Sequence, residues 1–219
     1  MVEIVFQVDK VAIAYIMQIN GVRNFGINSE EWNKLLAKTY GNKCKALVNE
    51  IQTGLEDEYI AAQPFKRIVQ TEWMRHEENV LTWLKEMTKL DFKEPTINVC
   101  VVPFQAGMTP FRNLPLVVVG QIRQGWGYPE TLAHEFAHIL FNQNLKLDNE
   151  IEHPYVQLIE EEIAVRLGVR SNYFDYEIPS FAKWVHKAQQ KEKSWKRYLA
   201  HIEDYRDVSE LIRENENLR

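Results

Sequence analysis

The chain has 219 residues, of which 45% are hydrophobic, enough for one sizeable core. Lys and Arg total 26 against 31 Asp and Glu, a net charge of −5, and the basic residues are scattered, which excludes a nucleic-acid-binding protein. No apolar run has the length needed to span a bilayer, and the first residues lack the pattern of a signal peptide. We therefore expect a cytoplasmic protein without a membrane partner.

The beginning of the chain predicts a strand followed by a helix. From Val2 to Val8 apolar and polar residues alternate, which is the period of a strand. At Asp9 the apolar spacing changes to that of a helix, with Asp9 as its N-cap and an end near Asn20.

Three further helices are predicted before the middle of the chain. Asn28 and Glu31 have the spacing of a capping box, which opens a helix that ends near Tyr40. A short helix covers residues 43–53, and the apolar spacing of residues 64–90 predicts one long helix.

Two strands follow, over residues 96–104 and 116–122, because both segments are rich in Val and Ile. A loop that contains glycine and proline separates them. The predicted fold is therefore α+β: a predominantly helical single domain with a small mixed β-sheet.

The next segment, residues 128–143, contains His134, Glu135 and His138 in the order H-E-x-x-H. On a helix, residues four apart share a face, so the two imidazoles converge on one ion and Glu135 reaches a water bound to it. Pro129 suits the first turn of that helix. The neighbours of the motif are apolar: Leu132, Ala133, Phe136, Ala137, Ile139 and Leu140. Buried ionisable groups need partners, and a metal ion supplies one.

This pattern resembles the signature of the zincin metallopeptidases, in which Thr or Val stands three residues before the first His and an apolar residue stands two after the second. Thr131 and Leu140 occupy these positions. The resemblance implies a zincin-like catalytic core in residues 96–170, a Zn²⁺ cofactor and a peptide or protein substrate. It also implies that a strand, here residues 116–122, lines the cleft, although an ordinary central strand has the same composition.

A catalytic zinc site needs a third protein ligand. The metzincin arrangement is excluded, because its third His and its Gly would fall on Asn144 and Phe141. The next predicted helix, residues 154–167, resembles the gluzincin arrangement, which implies Glu161 as the ligand, with Ala164 three positions later. The alternatives are Glu160 and Glu162 on the same helix and, less favoured, Glu150, Glu152 and His153 in the preceding loop.

Residues 171–219 follow the predicted core and form C-terminal helices, over residues 180–190 and 193–217. Residues 1–95 are expected to form an N-terminal strand and helical region that packs on the core as part of one compact unit. Tyr155, Tyr176 and His186 are candidates to stabilise an oxyanion or to hydrogen-bond a ligand, and spacing does not distinguish them. An aromatic stripe along the last helix packs on its own domain or offers a surface for a protein partner or self-association.

The predicted function is that of a zinc-dependent metallopeptidase in which Glu135 acts as the general base. A structural zinc site commonly includes cysteine ligands, and Cys44 and Cys100 lie far from the motif in sequence. Two alternatives stay open: a zinc hydrolase with a non-peptide substrate, and a non-catalytic binding or regulatory protein with a zincin fold.

Overall fold

A computed structural model of the protein describes residues 2–36, 51, 53–109, 114–122, 127–169 and 182–217. Over these ranges the chain is mostly helical with one small mixed sheet, which confirms the α+β class. It forms two compact units, one of Met1–Glu72 with Glu94–Gln124 and the other of Trp73–Lys93 with Gly125–Arg219. The division at residues 95/96 and 170/171 stays a prediction.

The regular elements have the following bounds. The strands are β1 (Glu3–Gln7), β2 (Thr96–Gln105), β3 (Gly107–Met108) and β4 (Leu116–Gln121). The helices are α1 (Lys10–Ile19), α2 (Ser29–Leu36), α3 (Glu56–Met74), α4 (Glu77–Thr88), α5 (Tyr128–Asn144), α6 (Asn149–Arg166), α7 (Ala182–Ala200) and α8 (Val208–Glu216). A 3₁₀ turn, Ile202–Asp204, separates the last two helices.

The sheet of the first unit has the strand order β1-β2-β4-β3. The pairs β1–β2 and β2–β4 are parallel, and β3 runs antiparallel to β4. The central strand β4 is buried from Leu116 to Gly120, as its continuous apolar run predicts. At Gly120 a Cβ atom would lie 1.8 Å from the carbonyl oxygen of Phe104, so only glycine fits this position. The short strand β3 was not predicted, since two residues show no alternation.

Two of the predicted helix starts in the first unit, at Asp9 and Asn28, are confirmed. Asp9 caps α1 and accepts a hydrogen bond from the backbone N–H of Val11 at 2.7 Å. In the capping box, the N–H of Glu31 donates to the side chain of Asn28 at 2.9 Å, and the N–H of Asn28 donates to Glu31 at 3.0 Å. The predicted helix end at Tyr40 and most of the predicted helix over residues 43–53 lie outside the described residues.

The prediction of one long helix over residues 64–90 was wrong. Helix α3 starts earlier, at Glu56, and the chain breaks after Met74 before α4 begins at Glu77. The N–H of His76 donates to the carbonyl of Trp73, three residues earlier, whereas an α-helical bond spans four residues. This 3₁₀-type bond ends the first helix. Glu77 and Glu78 then occupy the first turn of α4, where the helix dipole favours acidic groups.

The second unit is helical and packs around α5. The ring of Phe136 meets Trp73 edge-to-face at 5.1 Å and Phe92 at 6.4 Å. Helix α5 packs against α4 and α6, and α6 packs in turn against α7. The hydroxyl of Tyr198 donates to the carbonyl of Met87 at 2.8 Å and ties α7 to the end of α4.

The prediction of a helix over residues 193–217 was also wrong, because α7 continues unbroken from Ala182 to Ala200 and a second helix starts at Val208. Asp207 caps that helix and accepts from the N–H of Ser209 at 2.9 Å. The predicted stripe is buried in part: Leu199, Ile202 and Tyr205 are half-buried, and the buried members are Trp195, Tyr198, Val208, Leu211 and Ile212. A protein partner or self-association through this helix stays a prediction. None of the helices in the described ranges has the length and hydropathy to cross a membrane.

Candidate metal centre

The two motif histidines share one face of α5, a helix that is buried almost throughout its first thirteen residues. His134, Glu135 and His138 are 8%, 5% and 9% exposed. The Nε2 atoms of His134 and His138 lie 3.2 Å apart. Two nitrogen ligands of one tetrahedral zinc ion, each about 2.0–2.1 Å from it, are about 3.3 Å apart. The pair therefore has the spacing that a shared ion requires.

A third imidazole, that of His153 on α6, completes the cluster. One ligand atom from each of His134, His138 and His153 lies within 4.8 Å of the others. The ring centroid of His153 is 5.2 Å from that of His134 and 4.9 Å from that of His138. All three residues belong to the second unit. The structure thus brings together three histidines, of which two were the predicted ligands.

The sequence-based placement of Glu150, Glu152 and His153 in a loop was wrong. Helix α6 starts at Asn149, with Asp148 as N-cap, and not at Pro154. The N–H groups of Ile151 and Glu152 already donate to the carbonyl of Asp148, at 3.0 and 2.9 Å. Proline within a helix removes one intrahelical bond, here the one to the carbonyl of residue 150 near the solvated helix end, and the helix tolerates that loss.

Two buried carboxylates from α6 hold the motif histidines. Glu160 Oε2 lies 2.7 Å from Nδ1 of His134, and Glu152 Oε1 pairs with Nδ1 of His138. Glu152 is fully buried and Glu160 is 4% exposed. When Nδ1 donates to a carboxylate, the lone pair of a neutral imidazole is on Nε2, so both rings are set to bind a cation through the atoms that face each other.

The electrostatic environments of His134 and His153 differ. Burial by itself lowers the pKa of His134, but the surrounding carboxylates, Glu160 foremost, raise it above its ordinary value. Glu135 contributes to that effect, so its charge acts directly on the cluster. Burial, together with the neighbouring His134, lowers the pKa of His153 to about 3. His153 is therefore neutral at pH 7, as a metal ligand must be.

His153 has no hydrogen bond in the described part of the chain, although both of its ring nitrogens are shielded from solvent. Its ring stacks on Trp184 of α7, with centroids 4.8 Å apart and an angle of 29° between the planes. Leaving a buried polar group without a partner costs about 1–3 kcal/mol. A cation between the three imidazoles is the partner that this donor set fits.

Glu161, the ligand that the gluzincin resemblance implies, is not part of the three-histidine cluster. It lies eight residues after His153, about 80° further round the helix, whereas Glu160 lies about 20° away. Glu162 forms an ion pair with Arg166 at 3.0 Å. A ligand role for Glu161 stays a prediction.

The candidates for oxyanion stabilisation are dispersed. The hydroxyl of Tyr155 is 3.2 Å from Glu216 of α8 and donates to it, and burial raises the pKa of Tyr155. Tyr176 lies outside the described residues. His186 is exposed on α7, with Nε2 3.0 Å from the side-chain nitrogen of Gln190. Two residues along a helix turn by about 200°, so His186 points away from the face that carries Trp184. Their catalytic roles stay predictions.

The sequence interpretation gave His153 too little weight and did not consider Trp184. One signal for His153 was present: Ile151, Tyr155 and Ile159 are spaced by one helical turn across Pro154, which extends the helix upstream. The stacking of Trp184 has no signal in the sequence, because it depends on how α7 packs on α6.

Comparisons with models of protein families, with curated proteins and with solved structures found no match for this chain. The resemblance to zincins therefore rests on the motif residues. The strand predicted to line the cleft, β4, belongs to the first unit, while the histidine cluster belongs to the second, and the role of that strand stays a prediction.

Proposed function

We propose that the protein is a zinc-dependent peptidase whose metal ligands are His134, His138 and His153. One observation carries the proposal: three largely buried imidazoles place their donor atoms within 4.8 Å of one another. The sequence motif supplies the second part, since Glu135 lies on the same buried helix between two of them.

The donor set suits a transition metal such as zinc. Neutral imidazole is a preferred zinc ligand, and three protein ligands leave one position for water or substrate, as in catalytic sites. The donor atoms of all three histidines lie within 4.8 Å of one another, so one ion can reach all of them. Zinc bound there supplies a Lewis acid that polarises a carbonyl and lowers the pKa of water.

Protein side chains supply proton transfer and the orientation of the ligands. Glu135 takes the proton from the attacking water and passes it to the leaving amine. Glu152 and Glu160 hold the rings of His138 and His134 in the orientation that leaves Nε2 available. Because the cluster is buried, the charge that develops during the reaction is poorly screened by solvent, and each of these groups acts strongly on it.

The choice of a peptide substrate rests on the zincin resemblance of residues 131–140. A zinc hydrolase that acts on another substrate would use the same ligands and the same Glu135. A non-catalytic zinc protein would keep the ligands but would have no chemical use for Glu135.

Glu135→Gln tests the proposal, with Glu130→Gln as the control, because Glu130 lies on the same helix outside the cluster. Zinc content is measured by mass spectrometry, and cleavage is measured on a mixture of peptides. We expect both variants to keep zinc and Glu135→Gln to lose about 10²- to 10⁴-fold in cleavage rate.

Three results would overturn the proposal. Undiminished cleavage by Glu135→Gln removes Glu135 from the mechanism. A native protein that contains zinc but cleaves no peptide in the mixture favours the non-peptide or the non-catalytic alternative. Absence of zinc from the native protein excludes the peptidase and both alternatives.

A further inference from the structure

The three histidines of the cluster are held in two different ways. His134 and His138 each have Nδ1 paired with a buried carboxylate. His153 has no such partner among the described residues, and its ring instead lies against the indole of Trp184. Among the described residues, ring contacts and not hydrogen bonds therefore orient the third imidazole.

Stacking leaves both ring nitrogens of a histidine uncovered, whereas a hydrogen bond occupies one of them. The contact between Trp184 and His153 uses the faces of the rings, which are 29° from parallel. The lone pair with which a neutral imidazole binds a metal lies in the plane of its ring, so the stack restricts the tilt of His153 without covering either nitrogen. The indole thus does for His153 what the carboxylates do for the other two rings.

Two lysines hold Trp184 in place, and both form ion pairs with the turn of α6 that carries His153. The ammonium groups of Lys183 and Lys187 lie 4.8 and 5.5 Å from its ring centre. Both lysines pair with Glu150, at 2.5 and 2.7 Å, and Glu150 precedes His153 by three residues on α6. Each exposed pair is weak by itself, but together they hold the start of α7 beside the turn that carries His153.

We propose that Trp184 is a positioning residue for the metal centre, which sets the plane of the His153 ring through stacking. The inference rests on the proposed role of His153 as a ligand. It makes α7 a part of the centre, although none of its described side chains belongs to the three-histidine cluster.

The test compares Trp184→Leu with Trp184→Phe, which keeps an aromatic face. Trp195→Phe is the matched control, because Trp195 is on the same helix and stacks on Tyr198 at the same angle of 29°. Zinc affinity is measured by competition with a chromophoric chelator, and the ligand geometry is read from the visible absorption of the Co²⁺ form. Circular dichroism verifies that each variant is folded.

Loss of a group that orients a metal ligand typically lowers affinity by about 10- to 100-fold. We expect that loss, with an altered Co²⁺ spectrum, in Trp184→Leu, and near-native affinity and spectrum in Trp184→Phe and Trp195→Phe. Unchanged affinity and spectrum in Trp184→Leu would overturn the inference. So would a Trp184→Phe variant as impaired as Trp184→Leu, because stacking would then not be the property that matters.

A double-mutant cycle separates this inference from the proposed function. In a His153→Asn background, Trp184→Leu should have no further effect on zinc affinity, since Trp184 acts through His153. An equal effect in both backgrounds overturns the inference alone and leaves the peptidase proposal intact. If His153→Asn by itself leaves zinc binding unchanged, His153 is not a ligand, and the proposed ligand set fails together with this inference. None of these readouts depends on peptide cleavage.

Discussion

Glu160 and Glu152 decide which nitrogen of each motif histidine is offered to a metal. An imidazole has two nitrogens, and a carboxylate on Nδ1 fixes the tautomer with its lone pair on Nε2. Both carboxylates come from α6, whereas both histidines come from α5. The orientation of both motif histidines therefore depends on two carboxylate oxygens from the neighbouring helix α6.

Glu160→Gln is expected to weaken zinc binding by about 10- to 100-fold, because the amide keeps the size of the side chain but loses the charge that holds His134. Competition with a chelator measures the change. Glu162→Gln is the control, since Glu162 pairs with Arg166 outside the cluster, and it should bind zinc like the native protein. Equal affinities for the two variants would contradict the role given to Glu160.

How much of the site is predictable from sequence differs among these residues. The pairing of His134 with His138 is a local property, because four residues make about one turn of any helix. The participation of His153 depends on the helix starting at Asn149 and on the packing of α6 against α5. The packing is tertiary information. The helix start had a local signal in the spacing of Ile151, Tyr155 and Ile159, but Pro154 pointed to a later start.

At the scale of the elements, the reliable predictions were those with a local chemical cause. The cap at Asp9 and the capping box of Asn28 and Glu31 are hydrogen bonds within a few residues, and both are present. The missed breaks, at residues 75–76 and 201–207, interrupt stripes of apolar residues that continue on both sides. Burial sets such a stripe, and a stripe does not require one continuous helix.

Tyr155→Phe tests whether this side chain has a structural or a catalytic role. Its hydroxyl is bonded to Glu216, so we expect the variant to lose about 1 kcal/mol in the free energy of unfolding and to keep its zinc and its cleavage rate. Denaturant unfolding and a peptide assay measure the two properties. A large loss of cleavage with unchanged stability would instead assign Tyr155 to the oxyanion, as the sequence allowed.

At the scale of the whole molecule, the sheet belongs to the first compact unit and the histidine cluster to the second. The sequence predicted the mixture of helices and a small sheet, since each element has its own periodicity. It did not predict these two units, because Trp73–Lys93 joins Gly125–Arg219 through contacts between residues far apart in sequence. Zinc bound to the cluster in the folded chain would stabilise that state by mass action.

The zinc content of His153→Asn and Glu161→Gln, measured side by side after purification, tests the central claim most directly. The claim is that His153, and not the Glu161 of the gluzincin arrangement, completes the site with His134 and His138. We predict one zinc ion per chain in the native protein and in Glu161→Gln, and substoichiometric zinc in a folded His153→Asn. Full zinc in His153→Asn, with its loss in Glu161→Gln, would contradict the three-histidine centre.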